Sequence, residues 1–111
     1  MAGTIKRTAG PLALTTVLTT NIYNQASALI YDVIRHIHIA NKLLADSFTI
    51  YLGATGGNVA GTELFFQTAL AAKANFDYYC AMKMLSTDFL VGGAATTLTL
   101  VITIEGEQYV V

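Results

Sequence analysis

Charged residues are scarce in this sequence. Aspartate, glutamate, lysine and arginine make up 12% of its 111 residues, against about 25% in ordinary soluble domains. Six basic residues nearly balance seven acidic ones, which leaves a net charge of −1. Lys6-Arg7 is the only basic pair, and a nucleic-acid surface needs a cluster of such residues. We therefore expect no direct contact with nucleic acid.

Cysteine and long apolar runs are also lacking. Cys80 is the single cysteine, so an internal disulfide framework is excluded and a buried, inert thiol is expected. Polar residues interrupt every apolar run before it reaches the ~18 residues that a spanning helix needs. The sequence does not begin with a basic segment followed by an apolar stretch, so we expect no signal peptide. These absences favour a soluble protein made in the cytoplasm, without membrane contact.

Groupings of residues that would indicate catalysis or a cofactor are missing as well. The loop Gly53-Ala54-Thr55-Gly56-Gly57 superficially resembles a phosphate-binding loop, but it lacks the Gly-Lys-Ser/Thr ending and no helical pattern follows it. The seven carboxylates include no pair with a spacing typical of acid–base chemistry, and the three serines lie outside any nucleophile-elbow motif. We predict that the protein is not an enzyme and needs no cofactor.

Hydrophobic residues, in contrast, are abundant at 54%. A domain of this length has a high ratio of surface to volume, so it cannot bury that much apolar material by itself. Apolar surface that remains outside usually belongs to an interface. The composition therefore predicts an obligate oligomer or a subunit of a larger assembly.

Alternation with a period of two is the strongest local pattern. In the stretch 96–104, leucine and isoleucine alternate with threonine and valine, which is typical of a strand with one buried face. Similar patterns recur upstream and predict seven or eight short strands. We predict an all-β, compact, single-domain β-sandwich of jelly-roll or immunoglobulin-like topology over residues 12–111. Residues 1–11 are predicted to form an extended N-terminal arm.

The same alternation predicts which side chains form the core. In the strand over 28–40, Val33, Arg35 and Ile37 should share one face, and Asp32, His36 and His38 the other. The first of these is expected to be the buried face, with Arg35 as an exception. The predicted core residues are Val33, Ile37, Ile39, Phe48, Ile50, Leu98, Leu100 and Ile102.

The two histidines are the nearest approach to a metal-ligand motif. His36 and His38 are separated by one residue, which places both on one face of a strand, together with Asp32. A zinc site still needs a third or fourth ligand from elsewhere, and the sequence does not identify one. A polar face that contacts another subunit is therefore the preferred interpretation, and no metal is predicted.

Two alternating runs resemble small structural proteins of tailed bacteriophages. Val33-Ile34-Arg35-His36-Ile37-His38-Ile39-Ala40-Asn41 is followed by Phe48-Thr49-Ile50-Tyr51-Leu52 and a glycine-rich loop. An aromatic strand at Phe76-Asp77-Tyr78-Tyr79 and a terminal Thr/Val-rich strand over 97–104 extend the similarity to about residues 28–105. The resemblance implies a virion component with a compact β-sandwich. It includes no catalytic motif.

Among virion proteins, the small size and low charge favour a capsid decoration (cement) protein, commonly a trimer that binds the major capsid protein. A component of the head–tail connector or neck, or of a tail ring, is the alternative. A second alternative is a carbohydrate- or host-surface-binding module, for which Tyr51, Tyr79 and Tyr109 are candidate platforms. The predicted assembly surface comprises Lys6, Arg7, Pro11, Asp32, His36, His38 and Tyr79.

Overall fold

Eight antiparallel strands build the protein in the computed structural model, which describes residues 3–53 and 62–111. No helix in these two ranges is long and apolar enough to cross a membrane. The strands are β1 (Thr4–Ala13), β2 (Asn21–Asn24), β3 (Ile30–Asn41), β4 (Asp46–Gly53), β5 (Glu63–Leu70), β6 (Asn75–Met84), β7 (Phe89–Ala94) and β8 (Leu100–Val110). The glycine-rich loop predicted after Leu52 lies mostly outside the described residues.

The strands form two four-stranded sheets. Sheet I has the order β1-β8-β3-β6, and sheet II has the order β2-β7-β4-β5. Strands β1 and β8, β2 and β7, β3 and β6, and β4 and β5 all pair with each other. That is the pairing of one long antiparallel ribbon rolled up on itself, which defines a jelly roll. The predicted all-β sandwich is confirmed, and its topology is the jelly roll rather than the immunoglobulin-like fold.

The core lies between the two sheets. Ile37, Ile39, Phe48, Ile50, Leu100 and Ile102 are buried, as their alternation predicts. Two of the predicted core residues are not buried. Leu98 is 52% exposed because it lies in a turn before β8, with a φ of 63°. Val33 is only half-buried because it lies on the outer face of sheet I.

Strand β3 departs from regular alternation at Arg35. Ile34 pairs with Gly106 on β8 and His36 pairs with Glu105, so Arg35 is an extra residue on β3. Beyond such a β-bulge, each side chain points to the opposite face of the sheet from the one that regular alternation predicts. Ile34 and Ile37 therefore both point into the core although three positions separate them. The prediction that Val33 and Ile37 share a face, and that Asp32 and His36 share the other, is wrong for this reason.

The N-terminal segment is a strand of the sandwich and not a separate arm. Residues Thr4–Ala13 pair with β8 along the edge of sheet I, with register shifts between Arg7 and Ala9 and between Ala9 and Leu12. The segment is extended, as predicted, but its backbone hydrogen bonds are made within the same chain. The predicted boundary between an arm at 1–11 and a sandwich domain at 12–111 therefore falls inside β1.

Two glycines, Gly92 and Gly106, lie inside strands where neighbouring backbones come close. Gly92 is in β7, where a Cβ would lie 2.2 Å from the carbonyl oxygen of Thr49 on β4. Gly106 is in β8, where a Cβ would lie 2.2 Å from the carbonyl oxygen of Val33. These glycines are required because neighbouring backbones approach too closely for any side chain.

Candidate functional site

The outer face of sheet I carries a cluster of two histidines and one aspartate, His36, His38 and Asp77, called here the His–Asp cluster. His36 Nε2 and His38 Nδ1 each lie 2.7 Å from the same carboxylate oxygen, Oδ1 of Asp77. All three side chains are partly exposed. Among the described residues, these three are the group of potential ligands that could hold a metal ion.

Strand pairing explains how these side chains meet. Because of the bulge at Arg35, His36 and His38 both point outward, with only Ile37 between them in the sequence. On β6, Tyr79 pairs with His36 and Asp77 pairs with His38. Because β6 alternates regularly, Asp77 and Tyr79 also point outward. The cluster is therefore built from two adjacent strands whose backbones hold it in place.

Tyr79 completes the surface around the cluster. Its ring stacks on the ring of His36, with the centroids 4.3 Å apart and the planes inclined by 3°. Tyr79 is nevertheless 74% exposed, because β6 is the edge strand of sheet I. The stack limits the rotation of His36 and presents a large, partly apolar ring to any partner.

The ionic state of Asp77 follows from its two histidine partners. The hydrogen bonds from His38 and then His36 hold the pKa of the Asp77 carboxyl below its ordinary value of 3.8. An ionised carboxylate only accepts hydrogen bonds. Both imidazoles therefore donate an N–H to it, His36 from Nε2 and His38 from Nδ1. At neutral pH the cluster holds one negative charge when the imidazoles are neutral.

Asp32 is on the opposite side of the sheet from the histidines and is fully buried. The Tyr23 hydroxyl donates to Asp32 Oδ2 at 2.6 Å, and Gln25 Nε2 donates to the same oxygen at 3.0 Å. Burial, together with the hydrogen bond to Asp32, strongly raises the pKa of the Tyr23 hydroxyl. Asp32 thus belongs to an internal polar network, and its predicted place on the assembly surface is wrong.

The predicted site residues of the N-terminal segment lie apart from the His–Asp cluster on the edge strand β1. Lys6 is half-buried, with its Nζ 5.7 Å from the centre of the Tyr23 ring. Arg7 is exposed and pairs through the backbone with Glu105. Pro11 is exposed at the second register shift of β1. No contact among the described residues joins these three side chains to the cluster.

A second row of polar and aromatic side chains lies farther along the same face. The rings of Tyr31 and Tyr109 stack with centroids 5.1 Å apart, and Lys83 Nζ lies 4.4 Å from the centre of the Tyr31 ring. Glu107 accepts hydrogen bonds from Arg35 and from the Tyr109 hydroxyl. The Tyr109 hydroxyl and the Arg35 guanidinium hold the pKa of the Glu107 carboxyl below its ordinary value of 4.5.

Asp77 is the functional candidate that the sequence pattern does not identify. It lies 39 residues from His38 along the chain, and only the pairing of β3 with β6 brings the two together. Its place on the outer face of β6, beside Tyr79, does follow from alternation. The sequence does not reveal the register between the two strands, and it is this register that places Asp77 opposite His38.

A scan against models of known protein families finds no match for this chain, and a search of curated proteins finds no relative.

Proposed function

We propose that this chain is a non-enzymatic structural subunit of a tailed-phage virion, a capsid decoration protein that acts as an oligomer. The observation that carries the proposal is the exposure of large apolar side chains at both ends of the sandwich. At one end, loops expose Val17, Leu43, Leu44 and Leu98; at the other, loops and the C-terminal residues expose Leu29, Leu85, Val110 and Val111.

The first of these ends, called here the apolar end, is the better formed surface. The loops after β3 and β7 are joined there by the hydrogen bond from Lys42 N to Thr99 O. They line a shallow depression with Leu43, Leu44, Ala45, Thr96 and Thr99. No charged side chain is among these lining residues. Contiguous apolar surface of this kind is typical of sites that bind another protein.

The size of the chain leaves room for more than one such contact. Its accessible surface is 5840 Å², and a standard interface buries about 800 Å² on each partner. One interface at the apolar end joins copies of the chain, commonly three for a decoration protein. Another joins the oligomer to the major capsid protein. Each contact stabilises the assembled shell by mass action, without chemistry.

The fold is compatible with this role, since capsid proteins are among those built on jelly rolls. The same fold also serves lectins and enzymes, so it does not assign the function. The resemblance of the two alternating runs to phage structural proteins favours the virion. A location in the virion, after synthesis in the host cytoplasm, is part of the proposal.

The first test is the mass of the purified chain in solution, measured by light scattering after size exclusion. A trimer that binds empty shells of the major capsid protein from the same genome supports decoration. A ring of six or twelve copies instead favours the connector, neck or tail-ring alternative. A monomer that binds no shell, or a genome that encodes no phage capsid protein, overturns the proposal.

A matched pair of variants locates the contact. Leu44 is 79% exposed at the apolar end and Leu29 is 71% exposed at the opposite end, so Leu44→Asp and Leu29→Asp should both fold. We expect Leu44→Asp to dissociate the oligomer, because the charge must otherwise be buried in the interface. Leu29→Asp should leave its mass unchanged. Dissociation by Leu29→Asp alone would contradict an interface at the apolar end.

Binding of a carbohydrate at a host surface remains the second candidate, and the exposed ring of Tyr79 favours it. Tyr51, proposed above as another platform, is buried in β4 and does not serve. Tyr109 is half-buried beneath its stack with Tyr31. Glycan titration with Tyr79→Ala as the control tests this function: binding lost in that variant would support it.

A further inference from the structure

Three ligand atoms of the types that zinc prefers converge on one point of sheet I. The two imidazole nitrogens of His36 and His38 and the carboxylate of Asp77 lie within 4.8 Å of one another. Zinc binds imidazole nitrogen and carboxylate oxygen, and many zinc sites use three protein ligands and a water in the fourth position. The cluster therefore has the number and the chemistry of ligands that such a site requires.

The distances are close to those of a metal site. Ligands at about 2.0–2.1 Å from a tetrahedral zinc are about 3.3 Å apart, whereas the hydrogen-bonded pairs here are 2.7 Å apart. Each histidine nitrogen must move about half an ångström from Asp77, and the two imidazole nitrogens, which lie within 4.8 Å of each other, must reach the same separation of about 3.3 Å by side-chain rotation. The strand pairs His36–Tyr79 and His38–Asp77 do not have to change.

The charge around the cluster favours a cation. Asp77 has no lysine or arginine within ion-pair distance in the part of the chain that the structure describes, and its partners are the two histidines. Arg35, next to His36, bonds to Glu107 instead. Glu105 pairs with His36 through the backbone on the other side of β3. A divalent ion would therefore meet one carboxylate, that of Asp77, with no lysine or arginine beside it among the described residues.

The hydrogen bonds already direct one nitrogen of each ring toward the Asp77 carboxylate. His36 offers Nε2 and His38 offers Nδ1, each now occupied by a proton shared with Asp77. When a metal ion inserts between these two nitrogens and the Asp77 carboxylate, the proton of each neutral imidazole moves to its other ring nitrogen, which is Nδ1 of His36 and Nε2 of His38. Stacking against Tyr79 keeps the His36 ring in the orientation that this exchange needs.

We propose that His36, His38 and Asp77 bind one divalent zinc-type cation on the outer face of sheet I, with water as the fourth ligand. Imidazole also suits copper and nickel, whereas magnesium prefers oxygen ligands. The site is thus selective for zinc-type ions over magnesium. It does not depend on the proposed virion function, because it is complete within one chain.

Calorimetric titration of the chelator-treated chain with zinc chloride tests the proposal. We expect one zinc per chain, no binding of magnesium, and a rise in melting temperature with zinc alone. His38→Ala and Asp77→Asn each remove a direct ligand. Each should weaken zinc binding at least about 10-fold, because losing a residue that only supports a metal ligand already costs about that much affinity. The matched control, Glu105→Gln, removes a nearby carboxylate outside the cluster and should retain the affinity.

NMR spectra of the histidine imidazoles provide a second measurement, which depends neither on the heat of binding nor on the stability of the fold. Both histidines should shift in NMR spectra on addition of zinc and stay unchanged with magnesium. Absence of zinc binding at millimolar concentration would overturn the proposal. So would an unchanged affinity in Asp77→Asn, since that result would mean that the histidine pair chelates zinc without a third ligand. Neither result bears on the oligomer or on shell binding.

Discussion

The bulge in β3 is tested by truncating residues on its two sides. Ile34 and Ile37 are both fully buried, which regular alternation does not allow. Ile→Ala removes three carbons, worth about 0.8 kcal/mol each, and the remaining cavity raises the loss of unfolding free energy to about 3 kcal/mol. At about 0.05–0.15 kcal/mol per residue, this is a large part of the stability of a 111-residue chain.

Urea unfolding followed by circular dichroism measures these losses. With an m-value of about 1–3 kcal/mol/M, each Ile→Ala variant should lower the unfolding midpoint by about 1 M or more. Val33→Ala is the matched control, because Val33 is half-buried on the outer face, and it should cost about 1 kcal/mol or less. Ile37 points into the core with or without the bulge, so the comparison of Val33 with Ile34 decides the test. A costly Val33→Ala together with a harmless Ile34→Ala would therefore refute the bulge.

Three further predictions follow from individual contacts. Gly106→Ala should lower the unfolding free energy by about 1–3 kcal/mol in the urea assay, since its Cβ would meet the Val33 carbonyl; an unchanged midpoint would contradict this close approach. The raised pKa of Tyr23 stabilises the fold below the ordinary value of 10, and this stabilisation is lost as pH rises above it. Tyr23→Phe should therefore flatten the decline of the urea midpoint above pH 10, and an unaltered alkaline slope would count against the Asp32 network. The lowered pKa of Glu107 stabilises the fold above the ordinary value of 4.5, and this is lost as pH falls through the lowered value. Glu107→Gln should reduce acid sensitivity below that pH, and an equal acid slope in both proteins would refute the contribution.

Strand positions with regular alternation could be predicted from the sequence. In β6, Phe76 and Tyr78 point inward and Asp77 and Tyr79 outward, as the pattern indicates. The pattern fails at Arg35 because a period of two carries no signal for one inserted residue. It also fails at Leu98, where the alternation continues past the end of the strand into a turn. Local rules therefore identify the sandwich but not its irregular positions.

For the same reason, only part of the candidate site could be predicted from the sequence. The spacing of His36 and His38 indicates a shared face, and this holds because both lie beyond the bulge. Asp32, on the near side of the bulge, is turned into the core and replaced at the site by Asp77. Strand register is set by long-range packing and not by local sequence, so a single sequence could not identify this exchange.

Strand β3 contributes to the core and to the proposed zinc site through successive residues, and the two contributions should be separable. Ile37 packs in the core and His38, the next residue, contacts Asp77 on the outer face. Since the two side chains point to opposite faces of the sheet, their substitutions should act almost independently. His38→Ala should weaken zinc binding at least about 10-fold while leaving the urea midpoint of the metal-free chain nearly unchanged. Ile37→Ala should lower that midpoint yet retain zinc binding in the fraction that stays folded. A large loss of metal-free stability in His38→Ala would instead mean that the cluster mainly holds β3 and β6 together.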